Sequence, residues 1–300
     1  MTRMNVSQNS GAAPVVLVCG VSGGLGRVLA GYLHEQGLQV YGTLRNLEAS
    51  QLDPAGEAYA YPLLQMDVSD EGSVDACIAE VFALAGRVDV VINCFNEMTL
   101  GSVQETSIRE MTGMFDVNLF GVMRVCRSLV PRLVSQGNGC IINISSLGGV
   151  LAVPYLSGYV ASKFALEAYS EALYHEVRAQ GVDVVVMQPV AMAMARADTG
   201  SHLRLAAAMT AQSPAQAMAA RMAADSRSSR FTPQQVAAAI LKVIRSANRP
   251  FKVPLDKARG LGLVKRLVPQ AALNKMIDGL LGGAHNPDAV RGQENAGHER

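Results

Sequence analysis

The chain has 300 residues, of which 49% are hydrophobic and 17% charged, with 26 Lys and Arg against 25 Asp and Glu. That length holds one large α/β domain whose core needs neither disulfides nor a structural metal, and the formal charge of +1 excludes the concentrated basic field of a nucleic-acid binder. No apolar run approaches the ~20 residues that cross a bilayer, and the polar start MTRMNVSQNSGAA lacks the apolar segment of a secretion signal, so a cytoplasmic protein is expected.

Polar tails at 1–12 and 284–300 are expected to be mobile. Between them, over 13–283, short apolar runs alternate with helical patterns. Val15–Cys19 reads as the first strand, Gly24–Gln36 as the first helix, Leu38–Thr43 as the second strand and Pro62–Met66 as the third. Asp70–Ala85 reads as a helix with Ser69 as its N-cap, and Val88–Ile92 as the fourth strand. Ser107 and Glu110 have capping-box spacing and open a helix to about Phe115; a long apolar helix follows over Asn118–Ser135. Cys140–Ser145 is the fifth strand, Ser157–Gln180 a long helix stopped by Gly181, and Val182–Met187 the sixth strand.

Residues 190–231 are rich in Ala and Met and show no strand signal. Ser213-Pro214 starts a short helix there, and Thr232-Pro233 with Gln235 starts another, running to 247. Phe251–Val253 is a candidate seventh strand, and 255–282 read as two amphipathic helices broken at Pro269. This alternation gives an α/β fold: one domain on a parallel sheet of about seven strands, covered by helices on both faces.

Cys19, Cys77, Cys94, Cys126 and Cys140 form no C-x-x-C pair and sit in apolar segments, so they read as buried free thiols in a reducing compartment. The five His show no ligand spacing, and no metal site is expected.

Three groups of residues carry chemistry. Gly20, Ser22, Gly24, Leu25 and Gly26 lie between the first strand and first helix. Glycine there permits positive φ and lets the backbone approach a pyrophosphate, while the helix N-terminus supplies free N–H groups for that anion. Tyr159 and Lys163, at i and i+4, share one face of the long helix. A phenol titrates near pH 10, too high for acid–base work at neutral pH, and a neighbouring ammonium lowers that value. Ser146 follows the fifth strand, at the sheet edge where open parallel sheets place ligands.

With G-x-x-x-G-x-G, Y-x-x-x-K, a Ser thirteen residues before the Tyr and Asn118 in F-D-V-N-L-F-G, the chain resembles the short-chain dehydrogenase/reductase family over about 14–255. The resemblance implies a Rossmann-like doubly wound sheet. It implies that Tyr159 exchanges a proton with the substrate oxygen, Ser146 polarises that oxygen, Lys163 lowers the Tyr pKa and holds nicotinamide ribose hydroxyls, and Asn118 orients a water leading to Lys163. It places Asp67 and Val68 at the adenine, and Asn93 and Pro189 elsewhere along the cofactor. Leu44 stands where an NAD-binding member has its Asp. Arg45 follows and suits a 2′-phosphate, so the implied cofactor is NADP(H), as in 17β-hydroxysteroid dehydrogenases, which this stretch also resembles.

The pattern breaks around the nicotinamide half. N-N-A-G is replaced by Asn93-Cys94-Phe95-Asn96, P-G by Pro189-Val190, and a downstream Thr by Met194. Residues 190–231 suggest an apolar, Met-rich lid over a hydrophobic carbonyl or secondary alcohol. The basic stretch with Lys257, Arg259, Lys265 and Arg266 reads as a solvated helix edge or a helix closing the pocket rather than a membrane contact. The expectation is an NADP(H)-dependent ketoreductase or hydroxysteroid-dehydrogenase-like oxidoreductase, forming a homodimer or homotetramer. The alternative is a protein of this fold without net redox turnover: a nucleotide-binding sensor or assembly subunit, or a Tyr159-dependent cyclase or dehydratase.

Overall fold

A computed structural model describes residues 13–47, 58–193 and 203–280. The tails, Met194 and part of the proposed lid lie outside the described residues. The strands β1 (Val15–Cys19), β2 (Gln39–Leu44), β3 (Leu63–Gln65), β4 (Val90–Asn93), β6 (Gly139–Ile144), β7 (Val182–Gln188) and β9 (Lys252–Pro254) form one seven-stranded sheet in the order β3-β2-β1-β4-β6-β7-β9. Every pairing is parallel, which sends all seven carboxyl ends to one edge.

Strand side chains alternate between two cores. Val15, Leu17 and Cys19 of β1 face one way, with Val91 of β4 and Ile141 of β6, against α2 (Glu71–Ala85), α4 (Val122–Gln136) and α5 (Ser157–Val177). Val16, Val18, Ile92 and Ile142 face the other way, against α1 (Gly24–Glu35) and α7 (Pro233–Arg245). Burial on both faces explains why these strands read as continuous apolar runs. The order reverses between β1 and β4, the switch point at which doubly wound sheets open a ligand crevice.

Three local expectations are corrected. The N-cap of α2 is Asp70, whose side chain accepts from Ser73 N, whereas Ser69 N donates to Asp67 Oδ1. The helices expected on either side of residue 116 are continuous: α3 (Ile108–Phe115) runs through a π-helical turn, Asp116–Gly121, into α4. The segment without strand signal contains β8 (Leu203–Leu205), which pairs in parallel with β5 (Met98–Leu100) as a separate ribbon. Each of these strands has three residues, too few for an alternation to register.

The ribbon and α6 (Ala215–Ser228) cover a third cluster around Leu100, Met114, Leu156, Tyr159 and Met218. At the C-terminal end, α8 (Ala258–Leu267) and α9 (Gln270–Leu280) meet at Pro269 as expected. Lys265 of α8 donates to the Val150 carbonyl and lies 4.4 Å from the Phe164 ring centroid, so this helix turns its charge onto the body of the protein.

Candidate active site

The residues singled out from the sequence converge on the carboxyl edge of the sheet. Gly20 to Gly26 follow β1, Arg45 follows β2, Asp67 and Val68 follow β3, Asn93 ends β4, Ser146 follows β6 and Pro189 follows β7. Tyr159 and Lys163 reach the same edge from α5.

Ser146 sits in extended backbone (φ −165°) as the cap of a short turn, and its hydroxyl accepts from Gly148 N at 3.0 Å. The loop is held down on β7: Ser145 N donates to the Met187 carbonyl and Leu147 N to the Pro189 carbonyl. The Ser146 hydroxyl and the Tyr159 ring flank Gly148, whose Cβ would stand 3.6 Å from Ser146 Oγ and 3.1 Å from the ring, and Ser146 acts to lower the phenol's pKa. Glycine there makes room for the phenol. One turn on, Lys163 donates to the Ile144 carbonyl at 3.0 Å, with its ammonium 5.8 Å from the Tyr159 ring centroid.

Both α5 groups are buried, with predictable electrostatic effect. Burial pushes the Tyr159 phenol up from its ordinary value, and Ser146 offsets this only in part. Burial pulls Lys163 down to about 8, opposed by Cys94 and Glu167. The expected lowering of the Tyr159 pKa by Lys163 is not found: loss of solvent sets the direction, with Ser146 alone opposing it. A phenol so placed keeps its proton, which suits donation to a carbonyl.

Asn118 lies in the π-helical turn, a local widening common at functional sites. Its Oδ1 accepts from Glu97 N and its Nδ2 donates to the Glu97 carbonyl, both at 2.8 Å, and to Ser162 Oγ at 3.0 Å. Ser162 in turn donates to the Tyr159 carbonyl. The Asn118 side chain thus ties the loop after β4 to α5. Ser162 serves as a hydrogen-bonding bridge between Asn118 and the Tyr159 carbonyl.

The residues at the β1 turn fit an anionic dinucleotide. Gly20 adopts φ +92°, and a Cβ on Gly26 would come within 2.1 Å of the Gly20 carbonyl oxygen. The N-cap of α1, Gly23, contributes no side-chain acceptor, leaving the helix N-terminus to an external anion. Ser22 and Arg45 are exposed at the ends of adjacent strands, while Leu44 is buried. Asn93 donates to Asn143 Oδ1 at 2.8 Å, but its own Oδ1 is buried without a partner. Asp67 spends one carboxylate oxygen on Ser69 N, a local turn that leaves its second oxygen uncommitted by that bond.

The departures from the family pattern are accommodated. The Phe95 ring turns into the core beside Val68, where the absence of a side chain on Gly121 leaves room: a Cβ there would meet Val68 at 3.0 Å and Phe95 at 3.1 Å. Val190 does not adopt positive φ, so the missing glycine is not required. Among the described residues no cluster of three or more His, Cys, Asp or Glu could hold a metal ion.

The chain matches the short chain dehydrogenase family over residues 14–203. It is 31% identical over 238 residues to a 3-ketodihydrosphingosine reductase of Bacteroides thetaiotaomicron, covering 79% of this chain and 86% of that protein. It is 30% identical over 182 residues to Dehydrogenase/reductase SDR family member 7B of Mus musculus, spanning 58% of this chain and 56% of the mouse protein. The crystal structure of a short-chain dehydrogenase from Streptomyces avermitilis superposes with a TM-score of 0.75 at 29% identity, covering 91% of this chain and 99% of that one. The chain belongs to the short-chain dehydrogenase/reductase family of oxidoreductases, whose members bind NAD(P)(H).

Proposed function

We propose that the protein is an NADP(H)-dependent reductase of a ketone on a hydrophobic small molecule. The observation that carries this reading is the juxtaposition of Ser146 and Tyr159 around Gly148, one helical turn from Lys163 at the carboxyl edge of the sheet.

The bound nicotinamide supplies the hydride. The Ser146 hydroxyl holds and polarises the carbonyl oxygen, a preorganised donor where negative charge develops. Tyr159 gives its phenolic proton to that oxygen, and the buried ammonium of Lys163 stabilises the phenolate left behind. Asn118 keeps the loop after β4 and α5 in register. When the dinucleotide is bound, Gly20, Ser22, Gly24, Leu25 and Gly26 would hold the pyrophosphate, Asp67 and Val68 the adenine, and Asn93 and Pro189 the rest of the cofactor.

Arg45 and Ser22, both exposed beyond the ends of the paired strands β2 and β1, support NADP(H) over NAD(H), because a guanidinium offers two N–H groups to a 2′-phosphate. Met98, Met111, Met209 and Met222, packed against the apolar cluster that includes Tyr159, support an apolar substrate. The relative named as a 3-keto reductase supports the reductive direction. Free thiols at all five cysteines support a reducing, cytoplasmic compartment.

The test is oxidation of NADPH and of NADH followed in parallel over a panel of ketones of graded apolar size. NADPH consumption with apolar ketones is expected. Preference for NADH, or for small polar sugars, contradicts the cofactor or the substrate assignment respectively. Tight NADPH binding without consumption of any carbonyl contradicts reductase activity.

A further inference from the structure

We propose that Glu167 is a positioning residue for the Tyr159–Lys163 pair: its carboxylate, enclosed behind the Ser146 loop, is the buried counter-charge that keeps Lys163 cationic. The inference rests on the role given above to Lys163, but its physical content is independent of turnover.

Tyr159, Lys163 and Glu167 fall at i, i+4 and i+8 of α5, one face of one helix. Glu167 is only 7% exposed, although a carboxylate is costly to remove from water without a partner. Its Oε1 accepts from Gln188 Nε2 at 2.9 Å. A Cβ on Gly149 would stand 3.1 Å from Glu167 Cγ, 3.2 Å from Oε1 and 2.5 Å from Ser145 Oγ. The carboxylate therefore lies directly under the loop that carries Ser146, and against the end of β7 whose next residue, Pro189, fixes that loop.

The charges around it are few. Lys252 of β9 approaches Oε2 at 3.4 Å, but its side chain is 43% exposed and it also faces Glu171 at 3.5 Å. Such a solvent-edge pair is weak and screened. From the loop after β4, Cys94 faces Lys163, yet burial pushes its thiol up to about 12, so it carries no charge at neutral pH. Gln188 and Ser145 are neutral. Glu167 is thus the buried anion one helical turn along α5 from Lys163, and it acts to raise the pKa of that amine, which itself sits in full burial with its hydrogen bond on a carbonyl. Without that anion, desolvation alone acts on Lys163 and favours its neutral form. A neutral Lys163 stabilises no phenolate.

The test is the titration of the Lys163 side chain by NMR in ligand-free protein carrying 13C-labelled lysine, in wild type and Glu167→Gln, alongside the pH profile of kcat. In Glu167→Gln the Lys163 midpoint is expected to fall by about one pH unit, and the alkaline limb of kcat to fall with it. In Lys252→Met, which removes the screened solvent-edge cation and keeps Glu167, the midpoint is expected to stay close to the wild-type value. A folded Glu167→Gln protein with an unchanged midpoint overturns the proposal. Should that variant not fold, an unchanged midpoint in Glu167→Asp, which shortens the reach of the carboxylate, overturns it. A midpoint that falls in Glu167→Gln while wild-type protein turns over no ketone upholds the placement of Glu167 and removes the reductase reading instead.

Discussion

Gly20 and Gly26 are fixed by sterics, and the structure separates them from glycines that are not. A methyl group on Gly26 meets the Gly20 carbonyl oxygen at 2.1 Å, a backbone atom that cannot swing away. Gly26→Ala is expected to cost about 2 kcal/mol or more and to abolish dinucleotide binding, seen in thermal melts and NADPH titration. Gly31, within α1, has nothing within 4 Å of its virtual Cβ. Gly31→Ala is expected to raise stability by about 0.5–1 kcal/mol. Phe95→Ala, which restores a small side chain at the altered loop, is expected to lower stability by about 1–3 kcal/mol, because the ring fills a notch between Val68 and Gly121. Arg45→Ala is expected to raise the KM for NADPH about 10- to 100-fold and leave that for NADH nearly unchanged. Tyr159, Lys163 and Ser146 were legible in the sequence because their relation is local: one helical turn, and one strand-to-helix loop. Glu97, Ser162 and Glu167 were not, because their partners lie on other elements, and no periodicity marks a side chain that bonds across the fold.

Residues 203–228 are held to the body by carboxylates from a single stretch, 97–110. Glu97 pairs with Arg204 of β8 at 2.7 Å, Ser213 before α6 acts to lower the pKa of Glu105, and Glu110 accepts from Ala207 N at 2.9 Å while completing the capping box of α3. Hydrogen bonds from Ser213 and Ser107 respectively hold the Glu105 and Glu110 carboxyls below their usual range. A depressed carboxyl favours the folded, docked form above its ordinary pKa and loses that contribution as pH falls through the lowered value. Cleavage within 203–228 by an acid-tolerant protease is therefore expected to be slow at neutral pH and to accelerate below about pH 4; equal rates at both pH values contradict the clasp. The capping box at Ser107 and Glu110, and that at Thr232 and Gln235, were readable because caps are short sequence patterns. The β5–β8 ribbon was not: it joins three residues to three others about a hundred positions away, and only the tertiary fold makes them strands.

Across the whole molecule, five thiols and a buried amine set opposing responses to alkali. Burial pushes Cys77, Cys94, Cys126 and Cys140 up to about 12 and Cys19 well above its ordinary 9.0. A thiol raised in the folded state contributes stability that is present below pH 9 and lost as pH climbs through the folded value. Lys163, lowered from 10.5 to about 8, acts in the opposite sense and adds stability over that narrower interval. Five groups outweigh one, so the melting temperature is expected to fall steadily above about pH 9. In native protein at pH 8, alkylating reagents are expected to reach Cys94, the partly exposed thiol, before the four fully enclosed ones. The sheet itself was legible almost throughout, since strands buried on both faces and separated by amphipathic helices leave few alternative topologies. What the pattern did not disclose was how the altered Asn93-Cys94-Phe95-Asn96 loop fits, because that depends on a notch at Gly121 supplied by another element.

The most direct test of the central claim is the rate of NADPH-dependent ketone reduction by Tyr159→Phe, with melting temperature and NADPH affinity measured on the same protein. Loss of kcat by roughly 10²–10⁴-fold with folding and NADPH binding preserved is the expected result. A variant that folds, binds NADPH and reduces the ketone at close to the wild-type rate contradicts the assignment of the proton to that phenol.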